Sequence, residues 1–212
     1  MALRMAFWGK KKQPPVVSCF GKLPATGDFI RLNASAHENQ TFVEWLQTSV
    51  ALAKDSLGER FKTCYEPALG VFVYRGDDGD GSEEPERGLV GAWAASRDSA
   101  GRSYPMLVST AYDYDELLAV GPALPLATWA FLQPAYDLVA NGRNLTVDNF
   151  LGRVQHLAPA PLDKPEASVN ALAQWQGAQT MRSMWATTYG TMDKRHSVVQ
   201  GISANIQIFQ GE

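Results

Sequence analysis

Only two of the 212 residues are cysteine, Cys19 and Cys64, so one disulfide is the most this chain can form. Neither belongs to a Cys-x-x-Cys pair, which removes the usual structural zinc and thioredoxin-type sites. Histidine is as scarce, with three residues, His37, His156 and His196, and no two stand four apart as a helical metal pair requires. The sequence therefore points to no metal and no cofactor. A basic excess is missing too. Lys and Arg number 19 against 22 Asp and Glu, a net charge of −3, which argues against a nucleic-acid specialist. Long apolar runs are absent. The longest, Ala119–Leu132, is broken by Gly121, Pro122, Pro125 and Thr128, too short and interrupted to span a bilayer. The amino-terminal segment places its apolar letters before Lys10, Lys11 and Lys12, the reverse of a secretory signal. A soluble, cytoplasmic chain with free thiols is the expectation.

Familiar catalytic patterns fail in turn. Gly21-Lys22 is followed by Leu23, where a phosphate-binding loop needs Ser or Thr, and Val16 occupies the position that needs glycine. There is no G-x-S-x-G elbow. Residues 77–86 hold six acids, but no calcium-loop frame begins on Asp, so they read as a solvated hairpin loop. Outside that loop 16 acids face 19 bases, close to neutrality.

What is present suffices for a core: 45% of residues are hydrophobic and 19% charged. Residues 1–14, with Arg4 and the three lysines, read as a flexible tail, and 15–212 as a single domain. Val16–Leu23 has strand letters and ends at Pro24. Ser35 and Glu38 have capping-box spacing, and Phe42, Leu46, Val50, Ala53 and Leu57 recur on one helical face that stops at Gly58. Leu69–Tyr74, Leu89–Ala95 and Tyr104–Tyr112 read as an antiparallel meander. Leu126–Val139 is helical in composition, with Pro134 expected to kink or break it. Thr146 should cap a helix bearing Val147, Phe150, Leu151, Val154 and Leu157. A proline-rich connector, 158–165, precedes a helix near 166–179 and strand-like letters at 184–189 and 197–209. This order predicts an α/β sandwich, with a largely antiparallel sheet flanked by helices.

Two polar constellations remain. One is Gly27-Asp28-Phe29-Ile30-Arg31; the other is Ser96-Arg97-Asp98-Ser99-Ala100-Gly101-Arg102. Each offers a glycine able to take positive φ, a carboxylate able to bind backbone amides, and arginine, whose fork holds a carboxylate bidentately. Two readings stay open. Asp28 and Asp98 pin turns that the arginines tie together; or the same residues form a working surface. The working surface is either a partner-binding face or an acid–base cleft of an unrecognised enzyme built from Asp28, Asp98 and Arg102.

At these segments the chain resembles a known family. Gly21, Lys22, Leu23, Pro24, Gly27, Asp28, Phe29, Ile30 and Arg31 match the opening motif of TagF-type proteins, which accompany bacterial type VI secretion systems. Ser96, Asp98, Gly101, Arg102, Tyr104, Pro105 and Met106 match the second motif. Trp45-Leu46 on the intervening helix fits as well, and Met184-Trp185 stands where the family carries a tryptophan pair. The resemblance implies a longin- or profilin-like fold and a cytoplasmic, non-enzymatic protein. It further implies post-translational repression of type VI secretion, by binding an apparatus scaffold such as the forkhead-associated-domain protein.

Overall fold

The computed structural model describes residues 14–75, 87–120, 123–159 and 161–162. The basic tail, the acidic loop, His196, the late helix and strands, and Met184-Trp185 lie outside these residues.

Five strands form one antiparallel sheet in the order β2-β1-β5-β4-β3. They are β1 (Val17–Lys22), β2 (Phe29–Leu32), β3 (Leu69–Arg75), β4 (Arg87–Ala94) and β5 (Met106–Asp113). The meander β3-β4-β5 is as expected. β5 then pairs with β1, Cys19 opposite Val108, which brings the two motif segments to the same end of neighbouring strands. The strand β2, four residues long, was not anticipated, because its letters sit within the turn-rich stretch after Pro24.

Alternation along the strands decides what each face carries. On β5, Leu107 and Ala111 face one way with Leu89, while Met106, Val108 and Tyr112 face the other. The first face is covered by helix α1 (His37–Leu57), whose Phe42 and Leu46 are buried there. The second is covered by α3 (Tyr114–Val120), α4 (Leu124–Ala127), α5 (Trp129–Asn141) and α6 (Val147–Gln155), through Leu117, Leu124, Phe131, Leu138, Phe150 and Val154. Each such large side chain contributes roughly 1.5–3 kcal/mol by leaving water. A short helix, α2 (Phe61–Tyr65), leads into β3. The result is a helix–sheet–helix sandwich, the expected class.

Three local expectations change. Ser35 does not cap α1. Ala36 occupies the cap without a side-chain bond, while the Ser35 carbonyl accepts a bond from Gln40 Nε2 at 2.9 Å. Glu38 turns to Arg87 Nη1, 3.7 Å away, and Arg87 also reaches Asp113 at 3.3 Å. A tertiary ion-pair cluster has displaced the local capping box. Beside it, Ser18 Oγ donates to Asn39 Oδ1 at 2.9 Å and meets Ser109 Oγ at 2.9 Å, so the first turn of α1 is pinned to the sheet. Second, α5 continues through Pro134, and the break falls earlier, at Thr128, whose Oγ1 donates to the Leu124 carbonyl at 2.7 Å. Burial of Phe131, Leu132, Ala135, Leu138 and Val139 holds the helix across the proline. Third, β4 begins at Arg87, two residues before the expected Leu89, and ends at Ala94. The Thr146 cap is present, accepting from the Asn149 amide at 3.3 Å. No helix among the described residues is long and apolar enough to cross a membrane.

Gly21 and Gly101 both have positive φ, +147° and +81°. A methyl group at Gly21 would drive into the Pro105 carbonyl and lie 2.7 Å from Met106 Cα, whereas one at Gly101 meets nothing within 4 Å. Gly101→Ala is therefore expected to cost about 1–2 kcal/mol of backbone strain. Gly21→Ala should cost that plus an overpacking penalty of about 1–3 kcal/mol. Urea unfolding of both variants checks the order.

Candidate functional site

The turn after β4 wraps around one carboxylate. Asp98 Oδ1 accepts bonds from the amides of Ala100 (3.0 Å) and Arg102 (2.9 Å). Asp98 Oδ2 accepts from Lys22 Nζ and from Arg102 Nε, both at 2.7 Å. Four donors fill the acceptor capacity of a carboxylate. The Asp98 amide in turn donates to the Arg102 carbonyl at 3.2 Å, closing the loop that Gly101 allows. The Asp98 and Lys22 side chains are 0% and 8% exposed, so this pair has left water. The Lys22 ammonium, then the Arg102 amide and guanidinium, hold the Asp98 carboxyl well below the usual carboxylate range despite its burial.

The same turn is fastened to the segment between β1 and β2. Ser96 Oγ donates to the Lys22 carbonyl at 2.7 Å, the Ser99 amide to the Thr26 carbonyl at 2.9 Å, and Arg102 Nη2 to the Gly27 carbonyl at 2.9 Å. Tyr65 adds a bond from α2, its hydroxyl lying 3.2 Å from the carbonyl and amide of Ser96. The two motifs are thus one structural unit, joined across more than 70 positions of sequence by the β1–β5 pairing.

An aromatic platform adjoins this knot. Phe29 stacks on Phe20 with ring centroids 5.1 Å apart and meets the Tyr104 ring edge-on at 4.9 Å. Lys22 Nζ lies 4.8 Å from the Phe29 centroid, and the Arg31 guanidinium 5.6 Å from that of Phe20. Each aromatic pair contributes about 0.5–1.5 kcal/mol beyond burial, and the exposed cation–π contact of Arg31 about 0.5–1 kcal/mol. The Phe20-x-Lys22 and Phe29-x-Arg31 alternation, read as a hairpin, is the sequence signal that could have revealed the platform.

The motif residues separate by exposure. Gly21, Lys22, Leu23, Ser96, Asp98, Tyr104 and Pro105 are buried. Leu23 joins the main core at 1% exposure. Pro24 and Gly27 are half-buried, and Asp28, Phe29, Arg31, Arg97, Gly101 and Arg102 are exposed. The sequence paired Asp28 with Asp98 as turn pins. Asp98 does pin its turn, but at Asp28 the bond is made by the backbone amide, to Thr26 Oγ1 at 3.2 Å. Gly27, free as a glycine to take positive φ, does not; Gly21 does.

Chemically the knot is spent. Asp98 has no acceptor position left for a substrate proton. Cys19, the buried thiol, is pushed up to about 12 by burial and stays protonated near neutral pH. Among the described residues no group of three or more His, Cys, Asp or Glu could hold a metal ion. An open depression is lined by Asp148, Asn149 and Arg153 of α6 and by His156, which caps it; none of its lining residues belongs to either motif.

Residues 18–157 match the sequence profile of a family described as "TagF N-terminal domain, Type VI secretion system-associated". Among solved structures, the crystal structure of PA0076 from Pseudomonas aeruginosa PAO1 aligns at 20% identity and a TM-score of 0.54. The alignment covers 69% of this chain and 64% of that one, so this chain spans just under two thirds of that structure's length. At this identity the likeness supports the fold alone. No curated protein sequence matches significantly.

Two expectations follow from the knot. Lys22→Met leaves Asp98 with three donors, whereas Asp98→Ala leaves a buried ammonium without its acid. Both should melt below wild type, Asp98→Ala by the larger margin, since an unpaired buried charge costs more than a lost pair. Thermal circular dichroism checks the order. The second concerns pH. The Asp98 pKa is depressed by folding, so its stabilisation is complete above the unfolded value of about 3.9 and fades as pH falls below it. The stability gap between wild type and Asp98→Asn should be level from neutrality to about pH 5 and narrow below about pH 4. A gap that stays level to the lowest pH at which the protein folds would contradict this.

Proposed function

The chain belongs to the TagF N-terminal domain family of type VI secretion-associated proteins, and from that premise we propose that it represses type VI secretion by binding a component of the apparatus. In this reading it works in the cytoplasm, after translation, as a non-enzymatic regulator. Its partner is a scaffold of the secretion system, of which the forkhead-associated-domain protein is the candidate. Residues 15–212 act as one domain, with 1–14 as a tail.

The observation that carries this reading is the filled coordination of Asp98. Its four acceptor positions are taken by Lys22, Ala100 and Arg102. A general acid or base needs a free position facing substrate. Asp28, the other carboxylate of the pair, is exposed on the surface. Both facts weigh against the acid–base cleft of Asp28, Asp98 and Arg102. They favour a rigid platform that presents Asp28, Phe29, Arg31, Arg97 and Arg102 outward. Restraint by sequestration needs no chemistry, only a higher affinity for the partner's inactive state.

A host strain lacking this gene should secrete more type VI substrate, and the wild-type chain should return secretion to its starting level. A folded Phe29→Ala/Arg31→Glu variant, matched to wild type in circular dichroism and cellular level, should leave secretion raised. Unchanged secretion on deletion would overturn the repressor reading. Full repression by the folded variant would remove this face from it.

A further inference from the structure

Resting on the binding reading above, we propose that the surface centred on Phe29 takes an acidic segment of a partner protein, with one apolar side chain of that segment seated on the Phe29 ring. Three observations converge on it. The first is charge. Across Phe20–Arg31 and Ser96–Tyr104 four bases, Lys22, Arg31, Arg97 and Arg102, face two acids, Asp28 and Asp98. That is a local excess of +2 on a chain whose net charge is −3. Lys22 and Asp98 are consumed together inside the knot, and the three arginines against Asp28 keep the same excess.

The second observation is which cations are available. Among the described residues neither Arg31 nor Arg97 takes part in an ion pair, and both are exposed. The Arg102 side chain is 66% exposed although its Nε is held by Asp98. Its Nη2 sits on the Gly27 carbonyl, two residues before Phe29, while Arg31 lies two residues after it. One guanidinium is thus tied to the segment that leads into Phe29 and the other lies over Phe20, the ring stacked on Phe29, so an extended peptide at about 3.3 Å per residue can reach both. A guanidinium fork meets a carboxylate bidentately, so acidic side chains are its natural complement.

The third is the anchor. Phe29 remains 39% exposed although it stacks on Phe20 and Tyr104. A ring held rigidly by its neighbours while open to water loses little entropy on binding, the mark of a contact hot spot. It lies on β2, an edge of the described sheet, where an extended segment can run alongside.

The test uses the full chain and two labelled hexapeptides, Glu-Glu-Glu-Phe-Glu-Glu and its lysine counterpart, read by fluorescence anisotropy. The acidic peptide should bind, the lysine peptide should not, and affinity should fall about tenfold or more between roughly 50 and 500 mM salt. Arg31→Glu/Arg97→Glu, which removes none of the side-chain hydrogen bonds of the knot, should weaken binding about tenfold or more, and Phe29→Ser should weaken it with the salt dependence retained. No binding to wild type, equal binding of both peptides, or undiminished binding to Arg31→Glu/Arg97→Glu would each overturn the proposal. So would binding to phosphatidylserine vesicles in place of the peptide. These outcomes are independent of the secretion assay. A chain that binds the acidic peptide here yet does not repress secretion leaves the surface standing and removes the repressor reading.

Discussion

The buried pair of Lys22 and Asp98 is the constraint on which the arrangement of both motifs depends. An ammonium and a carboxylate taken out of water are costly unless geometry and further hydrogen bonds compensate. Here Asp98 receives two side-chain and two main-chain donors, and Lys22 also lies against the Phe29 ring. The pair can form only if β1 and β5 are neighbours in their observed register and Gly21 lets the strand pass close to Pro105. Satisfying it therefore fixes the β4–β5 turn, the β1–β2 segment and their mutual placement together.

From that constraint the outward face follows. With the turn locked, Arg102 is held by its Nε yet projects, and Phe29 is stacked yet open. The fold spends its polar groups inward to set a small group of aromatic and cationic side chains in fixed positions outside. A surface so organised suits selective binding more than turnover. A regulator needs to discriminate between two states of its partner, and rigidity at the contact makes that discrimination sharper.

Much of the fold was legible because local pattern and tertiary structure agree. The β1 segment, the sheet-facing stripe of α1 that starts at Phe42 and Leu46, the β3-β4-β5 meander and the Thr146-capped α6 each carry a period or a cap in their own letters. What was not legible depended on distant partners. Glu38 looks like a capping-box residue until Arg87 is placed beside it. Phe29–Leu32 reads as the tail of a turn until β1 pairs with it. Pro134 reads as a helix breaker until the buried side chains around it are counted in. At the site, both motifs and the role of Asp98 as a turn pin could be read, but not its partner. Lys22 stands 76 positions away, and nothing local in either segment says that the two charges meet. The Phe20, Phe29 and Tyr104 platform was hidden for the same reason.

The central claim is that the knot is structural and the Phe29 face is the contact. Amide hydrogen exchange on the chain, alone and mixed with the forkhead-associated-domain scaffold of the same secretion system, tests it most directly. The account predicts that Phe29–Leu32 gain protection in the mixture, while the amides of Ala100 and Arg102, already bonded to Asp98, are slow in both samples. Protection that appears only on the far helices, or none at all, would contradict it.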